Sequence, residues 1–214
     1  MFRLSSVVLG LALALGARSA SAKDAADKKF RIGARFGYAI PGGNLGNSGS
    51  SSLHDNVSHQ VPIAIDVGYL LTPHLLVGAY GQYGFATHRA QPYAWGGARG
   101  AASDLSFGVQ AQYHSLLSQM LDPWVGLGAG YEILDQHNGD LDTLRLRGFE
   151  FAKLQAGLDF QVSDTFALGP FLSYSLGEYS NYKVTGGGLG SSGEIAPKSM
   201  HEWFTVGVKG AFAL

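Results

Sequence analysis

Trp203-Phe204-Thr205-Val206-Gly207-Val208-Lys209-Gly210-Ala211-Phe212-Ala213-Leu214 is the stretch that decides the fold. Alternate residues of a strand point to opposite faces. One parity here collects Phe204, Val206, Val208, Gly210, Phe212 and Leu214. The other collects Thr205, Gly207, Lys209, Ala211 and Ala213. A soluble β-protein turns its bulky face inward to a core. Here the small face carries the lysine, which fits a narrow polar interior with the bulky face turned out toward lipid. At the midplane of a bilayer, a lipid-facing Lys209 would cost about 2–4 kcal/mol.

The composition agrees with that reading. The chain has 31 glycines in 214 residues, roughly twice the usual frequency of about 7%. Charged residues are 14%, there is no cysteine, and the formal net charge is −1. No disulfide framework or acylated cysteine is therefore available. Without a basic cluster carrying interleaved aromatics, no nucleic-acid partner is expected. Met1–Ala22 reads as a signal peptide. Arg3 is its positive start, Val7–Ala17 its apolar run, and Ala20-Ser21-Ala22 its cleavage site. The apolar run is too short to span a bilayer, which takes about 20 residues. The mature chain is expected to begin at Lys23 with a short periplasmic lead, 23–29.

Upstream of the last strand the same alternation recurs seven times. The expected strands are Phe30–Ile40, Val61–Leu71, Leu75–Ala86, Ser103–His114, Pro123–Leu134, Gly148–Gln161 and Phe166–Tyr179. Long polar connections follow at Pro41–Gln60, Thr87–Ala102, Asp135–Arg147 and Ser180–His201. Short ones fall at Thr72–His74, Ser115–Asp122 and Val162–Thr165. Two places strain the pattern. Phe149 and Phe151 fall on the polar parity, so either a bulge resets the register or they cap the interior. Pro170 cannot donate to a ladder, and a local bulge is expected there.

Eight strands joined by alternating long loops and short turns predict an all-β, eight-stranded, antiparallel up-and-down transmembrane barrel over 30–214. Ten to twelve residues suffice for a tilted strand to cross, and eight strands enclose a lumen that side chains can fill. Its interior parity gathers Arg31, Arg35, Lys153 and Lys209 with Asp66, Asp104, Glu132 and Asp159. Charges at that depth are expected to pair, giving a largely closed lumen. Tyr38, Tyr69, Tyr83, Tyr113, Tyr131 and Trp203 are expected outside, in aromatic girdles. A soluble lipocalin-like barrel, the competing architecture, would invert this arrangement.

On the signal peptide, the strand rhythm and the closing strand Phe204–Leu214, the mature chain resembles the small eight-stranded outer-membrane barrels, the OmpA-like and OmpX-like group. In that group the barrel-assembly machinery reads the last strand and its terminal aromatic. By resemblance, the assembly signal here is Phe204, Val206, Val208, Phe212 and Leu214, with Leu214 where a terminal Phe is usual. No cell-wall-binding domain is expected after the barrel.

Catalytic and metal motifs are not apparent. His114-Ser115 and His201-Glu202 are adjacent in sequence, but strand neighbours face opposite ways and build no triad. The seven histidines follow no ligand spacing, and Gly186–Gly190 lacks the Lys-Ser/Thr ending of a phosphate loop. The chain is therefore expected to be a non-enzymatic outer-membrane protein of a Gram-negative bacterium, without cofactor or metal. It is expected to be a monomer in outer-membrane lipid, acting through four surface loops on an extracellular ligand. A narrow small-solute pore is the second reading. A lipid-modifying barrel enzyme is a weaker one.

Overall fold

Strands of alternating character close on themselves when every edge finds a partner, and this chain does so. The computed structural model describes residues 28–43, 53, 57–88, 101–116, 118, 120–138, 142–186, 189–196, 198 and 200–214. The signal-peptide reading and most of the 23–29 lead lie outside these residues, as does most of the first two expected loops. The strands are β1 (Phe30–Gly43), β2 (Val57–Leu70), β3 (Leu75–His88), β4 (Ala101–His114), β5 (Leu121–Asn138), β6 (Asp142–Gln161), β7 (Phe166–Gly186), β8 (Leu189–Glu194) and β9 (Met200–Ala213). Each of β1 to β7 pairs antiparallel with the next. β9 pairs with β7 on one side and with β1 on the other, from Arg31↔Ala213 to Gly43↔His201. β8 continues the line of β9 along the upper part of β7. The two are segments of one stave, and the barrel is eight-stranded and closed.

The end carrying Phe30 and Ala213 also holds the short turns. At one, Leu71 N–H donates to Leu75 O at 2.8 Å; at another, Val162 N–H donates to Phe166 O at 2.9 Å. Burial alternates residue by residue and is reversed relative to a soluble protein. Arg35, Asp66, Lys153 and Lys209 are buried, whereas Phe36, Ile65, Val109 and Val208 are exposed, Val109 at 66%. In water such a belt would drive association. In hydrocarbon it is the favourable surface, and closure leaves no unpaired backbone edge.

Two of the four expected loops are largely strand. β5 and β6 run up through most of 135–147, paired from Asp135↔Arg145 to Asn138↔Asp142. β7 and β8 turn most of 180–201 into a hairpin, paired from Asn181↔Glu194 to Gly186↔Leu189. Charge and glycine content favoured loops there. Cross-strand pairs such as Asp135–Arg145 and an apolar inner row, Leu144, Leu146 and Tyr182, favour the ladder instead.

The difficulty at Phe149–Phe151 resolves as a bulge. Glu150 pairs with Gly130 of β5 and Gly177 of β7. The next paired residues are Lys153 with Gly128 and Ala152 with Leu176. Phe151 is thus the extra residue relative to both neighbours. Both phenylalanines point outward, and Glu150 and Lys153 both point inward. No bulge forms at Pro170. Its pairing with Val208 lies in an unbroken register, and the β6 ladder has the same register before and after it. Proline's missing donor is accommodated by a gap in ladder contacts opposite Leu158 and Asp159, without an inserted residue.

Candidate functional site

The lumen is the site that the strands build, and its contents follow from inward parity. At the turn end, Lys209 Nζ (β9) lies 3.0 Å from Asp159 Oδ2 (β6) and 4.0 Å from the ring centre of Trp124 (β5). Trp124 Nε1 donates to the other Asp159 oxygen at 2.9 Å. Beside them His114 Nδ1 lies 2.6 Å from Asp122 Oδ2, and Arg31 Nη1 approaches the same oxygen at 3.9 Å.

One layer up, Arg35 Nη2 donates to Asp66 Oδ1 at 2.6 Å, and its other terminal nitrogen donates to Gln155 Oε1. Gln110 Nε2 also donates to Asp66 Oδ1, and Gln155 Nε2 donates to Gln110 Oε1, both at 3.0 Å. The ring of Phe171 supports the guanidinium, 5.6 Å away. That ring has room because β1 and β9 meet at Gly37↔Gly207; a Cβ on Gly207 would lie 2.8 Å from it and 2.2 Å from Phe36 O. Next come Lys153 and Glu150, 3.4 Å apart, with Tyr80 Oη donating to Glu150 at 2.5 Å.

The upper lumen is organised by Glu132. Its Oε1 accepts from Tyr179 Oη at 2.6 Å and Trp203 Nε1 at 3.1 Å; its Oε2 accepts from His201 Nε2 at 2.8 Å. The Tyr179 and His201 rings stack with centroids 4.0 Å apart. Above lies an apolar cap of Ala39, Leu53, Val57, Leu134, Leu146, Tyr179 and Trp203. Leu53, from the first connection, has no exposed surface.

All eight interior residues expected from the alternation line this lumen, but the pairing differs from an exchange among themselves. Arg35 meets Asp66 and Lys209 meets Asp159, whereas Arg31 meets Asp122 and Lys153 meets Glu150. Glu132 meets His201. Asp104 has no ion pair among the described residues, and Gln60 Nε2 is 3.5 Å from it. Trp203, expected in an outer girdle, is 4% exposed and points inward. Extending strict parity would have found Asp122 from Trp124, and both His201 and Trp203 from Lys209. Glu150 required the bulge, and no periodic signal marked Leu53.

The lumen contains two histidine–carboxylate pairs, but neither activates a hydroxyl. His114 Nε2 and His201 Nδ1 have no hydrogen-bonding partner among the described residues. Ser115 is exposed beyond buried His114. Glu202 faces away from His201 and accepts a hydrogen bond from Tyr174 Oη. His114, Asp122 and Asp159 could bring ligand atoms within 4.8 Å of one another, but the Lys209 ammonium and Arg31 guanidinium already supply cationic charge to the two carboxylates.

The residues expected by resemblance to form an assembly signal, Phe204, Val206, Val208, Phe212 and Leu214, are all exposed on the outer face. Phe212 packs against Phe166 with ring centres 4.6 Å apart.

The family model for the outer membrane protein beta-barrel domain matches residues 10–194. Among solved structures, the chain is similar to Neisserial surface protein A, with a TM-score of 0.55 at 13% identity, over 86% of this chain and 97% of that one. It is also similar to the outer membrane protein OprG from Pseudomonas aeruginosa, with a TM-score of 0.53 at 12% identity, over 89% of this chain and 99% of that one. At these identities the likeness is one of fold. No curated protein matches the chain in sequence. On the extent of the family match, with the closed barrel and its inverted burial, the chain belongs to the outer membrane protein β-barrel family.

Proposed function

We propose that the chain is a non-enzymatic, monomeric barrel that acts at the cell surface through its extracellular end, with a lumen that does not conduct. The observation that carries this reading is the vertical order of the interior. Stacked ion pairs from Arg31 to Lys153 are overlain by Glu132 and its three donors, then by the Leu53–Trp203 cap. An ion crossing this column would have to displace buried, hydrogen-bonded charges, each costly to uncover. The rigid staves would hold the connections after β1 and β3 and the β5–β6 and β7–β8 hairpins toward an extracellular ligand.

Export by a cleaved Met1–Ala22 leader and delivery by the barrel-assembly machinery complete the proposal. Support for the latter is the outward row Phe204, Val206, Val208, Phe212 and Leu214 on the closing strand.

Planar-bilayer recording of the purified full chain tests the closed lumen. No steady current is expected. A steady ohmic conductance would overturn it in favour of a narrow pore. Unchanged lipid A masses on overexpression are expected of a non-enzyme, and a new lipid A species would refute that part.

A further inference from the structure

Above the lipid-facing belt, the outer surface of β5–β8 forms a cleft of about 360 Å³. Its lining includes Arg145, Arg147, Lys183, Asn181 and Glu194, with Tyr131 at its membrane side. Tyr131 packs against Phe149 at 5.3 Å and Phe107 at 6.1 Å, so the aromatic row ends where the cleft begins. Interfacial aromatics sit at head-group level. The cleft therefore opens beside the head groups of the outer leaflet.

The charge arrangement is unusual for a purely structural sheet. Arg145 and Lys183 are direct cross-strand partners, and Arg147 lies two residues from Arg145 on the same face. Direct partners have Cβ atoms about 5 Å apart, and like charges there are destabilising. Asp135 engages Arg145 through two hydrogen bonds, Nε–Oδ1 at 2.6 Å and Nη2–Oδ2 at 2.8 Å. That contact fixes the guanidinium. Arg147 and Lys183 have no ion pair among the described residues, although Glu194 stands across the cleft. Two unpaired cations beside an oriented third match a phosphate, which accepts forked guanidinium bonds and an ammonium together. Asn181, Ser192 and Glu194 add groups able to bond sugar hydroxyls.

We propose that this cleft binds the phosphorylated sugar head group of an outer-leaflet glycolipid. The barrel thereby holds one such lipid in a fixed place against the β6–β7 wall. The site is separate from the lumen, so it stands or falls independently of whether the barrel conducts.

The test is native mass spectrometry of the full-length barrel in detergent. The probes are diphosphorylated lipid A, its dephosphorylated form, phosphatidylglycerol and inorganic phosphate. Diphosphorylated lipid A is expected to be retained over the dephosphorylated form. R147Q/K183Q should weaken that retention on the order of tenfold, while the charge-preserving R147K/K183R keeps most of it. Heat-modifiable gel mobility serves as the folding check, and if the double variant does not fold, K183Q alone is read the same way. Equal retention of phosphorylated and dephosphorylated lipid, or of wild type and variant, overturns the proposal. So does equally effective competition by phosphatidylglycerol or inorganic phosphate, which would make the cleft a plain anion site.

Discussion

Lys209 Nζ sits 3.0 Å from Asp159 Oδ2 at the turn end of the lumen, both side chains nearly inaccessible. Removing one member of a buried pair leaves the other charge without its partner, which costs about 3–5 kcal/mol. Lys209→Met should lower the unfolding midpoint of the folded barrel accordingly. Adding Asp159→Leu should recover most of that loss, because an apolar pair of similar volume is often neutral. Urea titration followed by gel mobility checks both. A single variant as stable as wild type would contradict the pairing.

Val109 occupies the middle of β4 on the outer face at 66% exposure. An arginine there should cost about 2–4 kcal/mol in a bilayer. Refolding equilibria in lipid vesicles measure this directly. A negligible cost would place the outer face in water.

Phe151 is the bulge residue relative to both β5 and β7. Deleting it restores plain alternation while leaving Glu150 and Lys153 inside, so the loss should stay below about 1 kcal/mol, in the range of surface changes. Deleting Leu154 instead shifts a paired strand by one residue and reverses its faces. The first deletion should give a heat-modifiable barrel and the second should not. Identical behaviour of the two would refute the bulge assignment.

Leu53 is fully buried within the cap, while His137 is exposed on the β5–β6 hairpin. The chain has no cysteine, so single cysteines report access cleanly. In intact cells, a membrane-impermeant maleimide should label His137→Cys readily and Leu53→Cys far more slowly. Equal rates would show that the cap is open.

The alternation of Phe204–Leu214 and its recurrence upstream were enough to read the closed eight-stranded barrel and the lumen face of Arg31, Arg35, Asp66 and Lys209. A side-chain period of two is a local property of backbone geometry, and the apolar parity is bulky enough to identify its solvent. Partner choice was not legible. Which carboxylate meets Arg31 or Lys153 depends on interstrand register and on the Phe151 bulge, and both are set by contacts between segments far apart in the chain. Phe-Glu-Phe at 149–151 carried part of that signal, because two outward phenylalanines force a bulge around Glu150.

The sequence by itself determined the number of staves, the inverted placement of charge and oil, and the short-turn and long-connection ends. Each follows from residues within one strand or one turn. Only the tertiary structure decided that Glu132 takes its three donors from β7 and β9, that Leu53 packs into the apolar cluster of Ala39, Leu134 and Trp203, and that Arg145 and Lys183 stand side by side on neighbouring strands. Each of these joins segments remote in sequence, and the closed sheet brings them together by fixing the register of every stave against its two neighbours.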